Sequence, residues 1–251
     1  MIQILKLELL KVRRTKSFIF GLLITAAGAF WEISAKYSQA VNPELHQIST
    51  LFNNQTVDVI VAPIAVTVFV LRIVHGEQVG RTFKLQQSNG QTYLSIFKNK
   101  LLLSIVFFAI LSLLEIFLIS IFAICVGLTP SLSLLCVKFL GLVLTDFCLI
   151  CLYLTLVLVT EKQGLVLGLG FLGAFFGLIL MQVATKIWSF IFPWLGSAYL
   201  SPYQFYVGND NVYEYVRTPD LMLRFLLYTI FAFIVYRISM NIINKNGGAM
   251  R

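Results

Sequence analysis

The sequence predicts an all-α polytopic membrane protein with six transmembrane helices, and three observations lead to this fold class. Of the 251 residues, 59% are hydrophobic and only 12% are charged, whereas about a quarter of the residues in soluble domains are charged. The charged residues lie in short segments between long apolar runs. Six of these runs reach the ~20 residues that a helix needs to cross a bilayer. A chain with so little polar surface needs lipid as its surrounding solvent.

The first 16 residues, MIQILKLELLKVRRTK, predict an amphipathic helix that lies at the membrane interface. Apolar residues recur at steps of three and four between Ile2 and Val12, and five Lys or Arg residues accompany them, as in helices with basic residues at the lipid headgroups. The alternative is a basic flank without a defined helix. Ala27-Gly28-Ala29 fits a signal-peptide cleavage site, but five more apolar spans follow, and an uncleaved first span is favoured.

The six apolar runs place the transmembrane helices along the chain. We expect them at Ser17–Ile33, Val57–Val74, Leu101–Val126, Ser133–Val159, Gly164–Val183 and Leu221–Ile238. Together they form one transmembrane domain over residues 1–251. Two connecting segments are too long to be simple turns, namely 75–100 and 184–220.

The distribution of basic residues predicts the orientation. With the N-terminus inside the cell, fourteen of the 19 Lys and Arg residues fall on the cytoplasmic side. The five on the outside are Lys36, Lys138, Lys186, Arg217 and Arg224. Cytoplasmic loops carry an excess of basic residues, so both termini are expected in the cytoplasm. This pattern explains the net charge of +8 without nucleic-acid binding.

The sequence contains no motif for covalent chemistry. The stretch from Gly76 to Thr82 is one residue short of a phosphate-binding P-loop and has Arg81 in place of lysine. The only histidines, His46 and His75, are far apart, so no metal site is predicted. The four cysteines lie in or beside apolar runs and are read as small buried hydrophobes. We therefore expect a chain that is not an enzyme.

Glu115 and Asp146 are the most informative polar residues within the predicted spans. Each lies roughly 16–20 Å from the outer end of its helix at 1.5 Å per residue, so the two should lie at similar depth on neighbouring helices. Carboxylates in lipid usually face other helices, a cavity or a partner. The pair lines a substrate or proton path in one interpretation, and only bonds helices together in the other.

Glycines and aromatic residues distinguish two further segments. The fifth span contains Gly164/Gly168 and Gly173/Gly177, which are pairs that let helices approach closely, within the bundle or between subunits. Segment 184–220 contains ten aromatic residues and three prolines, a composition typical of short helices that dip into the outer leaflet. The aromatic residues singled out there are Trp188, Trp194, Tyr199 and Tyr203.

The arrangement resembles the permease subunit of ABC-2-type transporters, specifically the lantibiotic-immunity and bacitracin-export group. The resemblance covers the layout of nearly the whole chain, and its local matches are the opening I-L-K-L-E-L-L-K-V-R-R-T and the run E-x-x-x-R-T-F-K from Glu77 to Lys84. One departure is Ser88-Asn89-Gly90-Gln91-Thr92, where members of the family often have a Pro-x-Arg-like element.

The resemblance implies a bacterial plasma-membrane exporter of an antimicrobial peptide or amphipathic, lipid-like drug. A separate ATPase dimer, which holds ATP and Mg, would power it, and a second permease chain, identical or different, would complete it. Segment 75–100 would receive the motion of the ATPase. The residues assigned to this coupling are Glu77, Arg81, Thr82, Phe83, Lys84, Lys98 and Lys100.

Two other functions remain open from the sequence. One is a secondary transporter in which Glu115 and Asp146 carry protons. The other is a membrane immunity or sensor protein that binds peptide without transporting it. From the residues alone, segment 75–100 is either a docking loop for a soluble partner or an ordinary basic loop.

Overall fold

The computed structural model is a bundle of long helices with a small β-hairpin at one end. It describes residues 9, 16–42, 47–53, 56–80, 86, 88, 90–160, 162–207 and 213–246. The helices are α1 (Ser17–Val41), α2 (Ile48–Leu51), α3 (Thr56–Val79), α4 (Tyr93–Cys125), α5 (Leu132–Thr160), α6 (Gln163–Ile179), α7 (Gly196–Tyr199) and α8 (Leu221–Asn246). The strands are β1 (Tyr203–Val207) and β2 (Tyr213–Arg217).

Six helices in this part of the chain are long and apolar enough to cross a membrane, and all six predicted spans are confirmed. They are α1, α3, α4, α5, α6 and α8. Helices α3 and α4 are antiparallel, since Glu77 and Asp58 of α3 lie beside Lys100 and Glu115 of α4 respectively. We call the end where α1 begins the proximal end and the opposite end the distal end. The predicted interfacial helix at 1–16 lies outside the described residues, except for Leu9 and Lys16.

Helix α4 begins eight residues before its predicted start at Leu101. Thr92 caps it, because the Thr92 side chain accepts a hydrogen bond from the Ser95 amide at 3.2 Å. The first two turns mix apolar residues with Ser95, Lys98, Asn99 and Lys100, so hydropathy alone does not detect them. The distal end of α4 follows a Schellman pattern, in which Gly127 has φ +85° and the Leu128 amide donates to the Ala123 carbonyl at 2.8 Å.

The polarity of the bundle is the reverse of that in a soluble protein. Large apolar side chains are exposed on the outer faces of α1, α6 and α8, while charged side chains lie in the interior. The exposed residues include Phe30, Trp31, Phe171, Phe175, Ile179, Met222, Leu226 and Phe233. The interior is continuous and contains Phe69, Phe97, Leu149 and Tyr153. Lipid is the solvent that suits such a surface.

Helix α6 packs closely because several of its glycines contact other parts of the bundle. A Cβ atom on Gly170 would lie 2.4 Å from Thr67 Oγ1, and one on Gly173 would lie 2.1 Å from Trp194 Nε1. A Cβ atom on Gly164 or Gly168 would meet nothing within 4 Å. The close packing predicted from glycine spacing therefore occurs at Gly173/Gly177, within the chain, whereas Gly164/Gly168 face outward.

The distal segment after α6 consists of short helices followed by a hairpin. Three 3₁₀ turns cover Leu180–Thr185, Ile187–Ile191 and Pro193–Leu195, and α7 follows directly. Strands β1 and β2 are antiparallel, with Gln204 opposite Val216. The short helices agree with the apolar, broken character of this segment, whereas the hairpin was not predicted.

Candidate functional site

A buried ammonium group joins four helices in the distal half of the bundle. Lys138, on α5, has its Nζ atom 3.5 Å from Glu115 Oε1, 3.7 Å from Glu32 Oε1 and 3.9 Å from Asp58 Oδ2. These carboxylates belong to α4, α1 and α3. All four residues are more than nine-tenths buried. We call these four residues, together with Lys36 and Asp146, the charged cluster.

Lys36 extends the cluster towards the distal end. Its Nζ atom lies 3.0 Å from Glu32 Oε1 and donates to the Leu51 carbonyl at 2.8 Å. Glu32 and Lys36 are one helical turn apart, a spacing at which side chains on one face meet. Glu32 therefore lies between two ammonium groups.

Asp146 and the other carboxylates of the charged cluster line a common small cavity. The cavity has a volume of ≈ 30 Å³ and lies between α1, α3, α4 and α5, and its polar lining residues are Thr25, Asp58, Ser112, Glu115 and Asp146. The predicted proximity of Glu115 and Asp146 thus agrees with their position in the structure. A smaller cavity of ≈ 10 Å³ also borders Asp58 and is lined by Lys138, Gly141 and Ser197.

Hydrogen bonding leaves several carboxylate oxygens of the cluster unsatisfied. The Ser112 hydroxyl is 3.4 Å from Asp146 Oδ2, but it is closer to the Phe108 carbonyl, at 2.9 Å. One hydroxyl has one proton to donate, so the bond to Asp146 is at best shared. Glu32 Oε2 accepts no hydrogen bond, and Asp58 Oδ2 and Glu115 Oε1 accept none but pair with Lys138 Nζ. Buried charges of this kind need strong compensation.

The charged cluster contains more acidic than basic groups, counted over the described residues. The cluster contains four carboxylates, on Glu32, Asp58, Glu115 and Asp146, and two ammonium groups, on Lys36 and Lys138. With every group ionised, its net charge is −2. A low-dielectric interior does not tolerate two uncompensated charges, so this excess is balanced either by protons on the carboxyl groups or by additional positive charge.

A second buried ion pair lies at the proximal end. Lys100 Nζ is 2.9 Å from Glu77 Oε2 and 3.2 Å from the Ile73 carbonyl, which it reaches as a donor. Lys100 is 1% exposed. The pair therefore ties the end of α3 to the first turns of α4. Of the other coupling residues predicted for segment 75–100, Lys98 is exposed on α4, and Arg81, Thr82, Phe83 and Lys84 lie outside the described residues.

The four aromatic residues of the distal segment differ in their surroundings. Trp194 packs between α5 and α6, and its Nε1 atom donates to the Tyr153 hydroxyl at 2.9 Å. Tyr199 is fully buried and donates to the Ile187 carbonyl at 2.9 Å. Tyr203 is half-buried in β1, and Trp188 is half exposed. Of these four residues, Trp194 and Tyr199 pack within the bundle.

Arg224 holds the distal segment against α8. Its Nη1 and Nη2 atoms donate to the carbonyls of Ala184 and Thr185 at 3.0 and 2.5 Å, and its guanidinium group lies 5.0 Å from the ring centre of Tyr199. These carbonyls lie at the end of the first 3₁₀ turn, where helical partners are lacking. Arg224 thus caps that turn from another helix.

Lys138, which was counted among the basic residues on the outside, is buried within the bundle, as are Glu32 and Asp58. Its position near the end of a predicted span is the reason that it was counted with the outer residues. One signal pointed to burial. Lys138 lies six residues inside α5 and Asp58 lies between Val57 and Val59, and a charge within an apolar run usually faces the bundle interior.

The described residues contain no hydrogen-bonded pair of a cysteine or serine nucleophile with a histidine. Cys148 and Cys151 are buried and free, and Cys125 and Cys136 are exposed. His75, the one histidine in this part of the chain, contacts Gln163. The charged cluster itself consists of carboxylates and ammonium groups between packed helices.

Comparison of the chain with protein-family models, with curated proteins and with solved structures gives no match.

Proposed function

We propose that this chain is the permease subunit of an ABC-type exporter in the bacterial plasma membrane, with both termini in the cytoplasm. A separate ATPase dimer would power it, together with a second permease chain. The proximal end would then face the cytoplasm. The burial of Lys138 and Arg224 supports this orientation, because these two basic residues are not loop charges and the excess of basic residues at the proximal end becomes larger.

The observation that carries the proposal is the Glu77–Lys100 pair. It joins α3 and α4 at the two ends of the connection that would meet the ATPase. A buried pair with an added bond to the Ile73 carbonyl holds both helices together. A push on the connection would therefore move α3 and α4 as one unit, which is the kind of rigid-body motion that alternating access requires.

The charged cluster lies at the other end of the same helices. Asp58 is on α3 and Glu115 is on α4, so movement of this pair of helices would change the distances of both carboxylates from Lys138 on α5. In an exporter this region faces outward. The excess of carboxylates supports a cargo with positive charge, such as a cationic amphipathic peptide.

The structure of the distal segment supports the proposal that this segment forms a gate over the outer end of the bundle. Its 3₁₀ turns are separated by extended residues at Lys186 and Phe192, which have ψ angles of 141° and 105°. Such breaks allow short pieces to shift relative to one another. Arg224 and Trp194 fix the two sides of the segment to α8 and to α5 with α6, so a gate here would open by releasing one of these contacts.

Reconstitution tests the proposal. The chain, a candidate ABC ATPase and a second permease chain are placed in proteoliposomes with a fluorescent cationic antimicrobial peptide. We expect removal of the peptide from the membrane only when ATP is hydrolysed. Transport driven by a pH gradient without any ATPase would instead identify a secondary transporter. Protection of cells by a complex whose ATPase is inactive would identify a protein that sequesters or senses peptide.

A further inference from the structure

Helix α3 contains a proline at a position where the helix cannot complete its hydrogen bonds. Pro63 lies inside the helix Thr56–Val79, and a proline has no N–H group, so the usual bond to the Val59 carbonyl cannot form. The Thr67 hydroxyl donates to the Pro63 carbonyl at 2.6 Å, and a side-chain bond of this kind often bends a helix. Sharp bends in helices occur mostly at prolines, so Pro63 is the point at which α3 changes its angle most easily.

The part of α3 on the proximal side of the proline is firmly packed. Phe69 and Ile73 are at most 1% exposed and belong to the main apolar interior. The Phe69 ring stacks on the Phe107 ring of α4, with 4.5 Å between the ring centres. The Glu77–Lys100 pair joins the end of this part to α4 as well. This part of α3 is therefore fixed to α4 along its length.

The residues on the distal side of the proline, Thr56–Ala62, have different neighbours. We call them the α3 arm. Asp58 lies 3.9 Å from Lys138 in the charged cluster. Val59 belongs to a smaller apolar cluster, in which it packs with Leu195 and other residues of the distal segment. The packing of α3 thus changes close to the proline, from the main interior to the charged cluster and the distal segment.

The ion pair that holds the α3 arm to the charged cluster is a long one. At 3.9 Å, the distance from Lys138 to Asp58 is the longest of the three that Lys138 makes to carboxylates, since the others are 3.5 and 3.7 Å. The arm also borders α1 at Gly28, where an added Cβ atom would lie 2.9 Å from Val61 Cγ1. Glycine lets the two helices approach closely but has no side chain that could lock against the arm. A small displacement of the arm therefore breaks no short contact at these two points.

We propose that α3 is hinged at Pro63 and that the α3 arm moves as a unit against the remainder of the helix. Because the arm carries both Asp58 and Val59, its movement changes the pair with Lys138 and the packing against Leu195 at the same time. The arm thereby links the charged cluster to the distal segment. The inference does not depend on an ATPase or a cargo, because all of these residues lie within this chain.

Spin-label distance measurements on the purified chain in lipid nanodiscs test the hinge. The four cysteines are replaced by serine or alanine, and electron spin resonance gives the distribution of distances between two introduced cysteines. The arm pair is Thr56→Cys with Leu132→Cys, and the proximal pair is Gly76→Cys with Asn241→Cys. All of these positions are exposed. We expect a broad or double distribution for the arm pair and a narrow one for the proximal pair.

Matched variants separate a hinge from general flexibility. Pro63→Ala restores the backbone donor and is expected to narrow the distribution of the arm pair to about half its wild-type width. Pro219→Ala removes an exposed proline outside α3 and is expected to leave that width unchanged. Asp58→Asn removes the pair with Lys138 and should broaden the distribution of the arm pair, but only in a chain that keeps Pro63. Glu77→Gln, at the other end of α3, should not broaden it.

The link to the distal segment is measured with a third label pair, Lys186→Cys with Leu132→Cys. We expect Asp58→Asn to broaden the distribution of this pair together with that of the arm pair, because Val59 carries the movement to Leu195. Broadening of the arm pair alone would overturn the link between the arm and the distal segment.

Two results would overturn the hinge itself. One is an arm pair whose distribution has the same width in the wild type and in Pro63→Ala. The other is equal broadening of the arm pair and the proximal pair by Asp58→Asn, which would mean that α3 moves as a whole. If Pro63→Ala does not fold, the wild type still decides the question, since an arm pair as narrow as the proximal pair would contradict the hinge.

Discussion

Lys138 Nζ lies 3.5 Å from Glu115 Oε1, so α5 contacts α4 through a buried ion pair as well as through apolar side chains. The same ammonium reaches Glu32 on α1 and Asp58 on α3. Four of the six long helices are therefore joined at one nitrogen atom. A single ammonium shared by three carboxylates is a contact that a small helix movement can redistribute, since no one partner is closer than 3.5 Å.

Lys138→Met should lower the stability of the bundle by about 3–5 kcal/mol, because it leaves three buried carboxylates without their common cation. Methionine keeps most of the side-chain volume, so lost packing contributes little. Thermal unfolding in detergent measures the change. Lys186→Met is the control, since Lys186 is exposed in the distal segment. Equal stability of the two variants would mean that Lys138 does not hold the cluster together.

Hydropathy predicted the six long helices correctly because burial in lipid requires long apolar runs whatever the packing. It also placed Glu115 and Asp146 near each other, since both positions follow from helix rise and a short turn between α4 and α5. It did not predict the partners of Glu115. Those depend on which faces of α1, α3 and α5 meet, and the pattern in these helices is apolar on all sides.

Gly173→Ala should destabilise the chain by about 1–3 kcal/mol, as overpacking does in a filled core. The added Cβ atom would lie 2.1 Å from Trp194 Nε1, and Trp194 cannot move freely because it is bonded to Tyr153. Gly168→Ala is the matched control on the same helix, with nothing within 4 Å of the new atom. It should be neutral or stabilising by up to about 1 kcal/mol. Equal Tm values for the two variants would contradict the packing of Trp194 against α6.

The β-hairpin of the distal segment was not predicted, because its sequence is compatible with two different structures. Tyr203–Val207 and Tyr213–Arg217 are rich in aromatic and β-branched residues, and Gly208-Asn209-Asp210-Asn211 between them is a turn sequence. These residues indicate two strands joined by a turn, but ten aromatic residues in one segment also indicate a membrane interface. The hairpin pairing and the buried position of Tyr199 depend on contacts between residues far apart in sequence.

The orientation predicts which positions are accessible from outside the cell. In a chain whose four cysteines are replaced by serine or alanine, Lys186→Cys should react with a membrane-impermeant maleimide on intact cells. Lys98→Cys should react only after the cells are permeabilised, because α4 begins at the proximal end, which faces the cytoplasm in the proposed orientation. Both side chains are exposed, so access from one side is the only difference between them. The reverse labelling pattern would place the termini outside.

Glu115→Gln combined with Asp146→Asn should reduce ATP-driven export at least tenfold while leaving membrane insertion intact. The pair lines the cavity of ≈ 30 Å³ beside Lys138, and the substitutions remove its charge but keep its shape. Export by the reconstituted complex is compared with that of Asp220→Asn, which removes an exposed carboxylate. Normal export by the double variant would assign Glu115 and Asp146 to helix packing alone.

Glu77→Gln and Lys100→Met should each uncouple ATP hydrolysis from transport, since each breaks the 2.9 Å pair between α3 and α4. The exchanged pair, Glu77→Lys with Lys100→Glu, should recover part of the coupling because it restores the attraction. Lys98→Gln is the control on the exposed face of the same turn. The ratio of peptide exported to ATP hydrolysed is measured for all four. The double variant Glu77→Gln/Lys100→Met completes a double-mutant cycle, in which unfolding free energies should give an interaction of about 0.5–3 kcal/mol. If the single variants transport at the wild-type ratio, the connection between α3 and α4 does not receive the motion of the ATPase. If they lose coupling but the exchange recovers nothing, the side chains act separately and the two helices do not move as one unit.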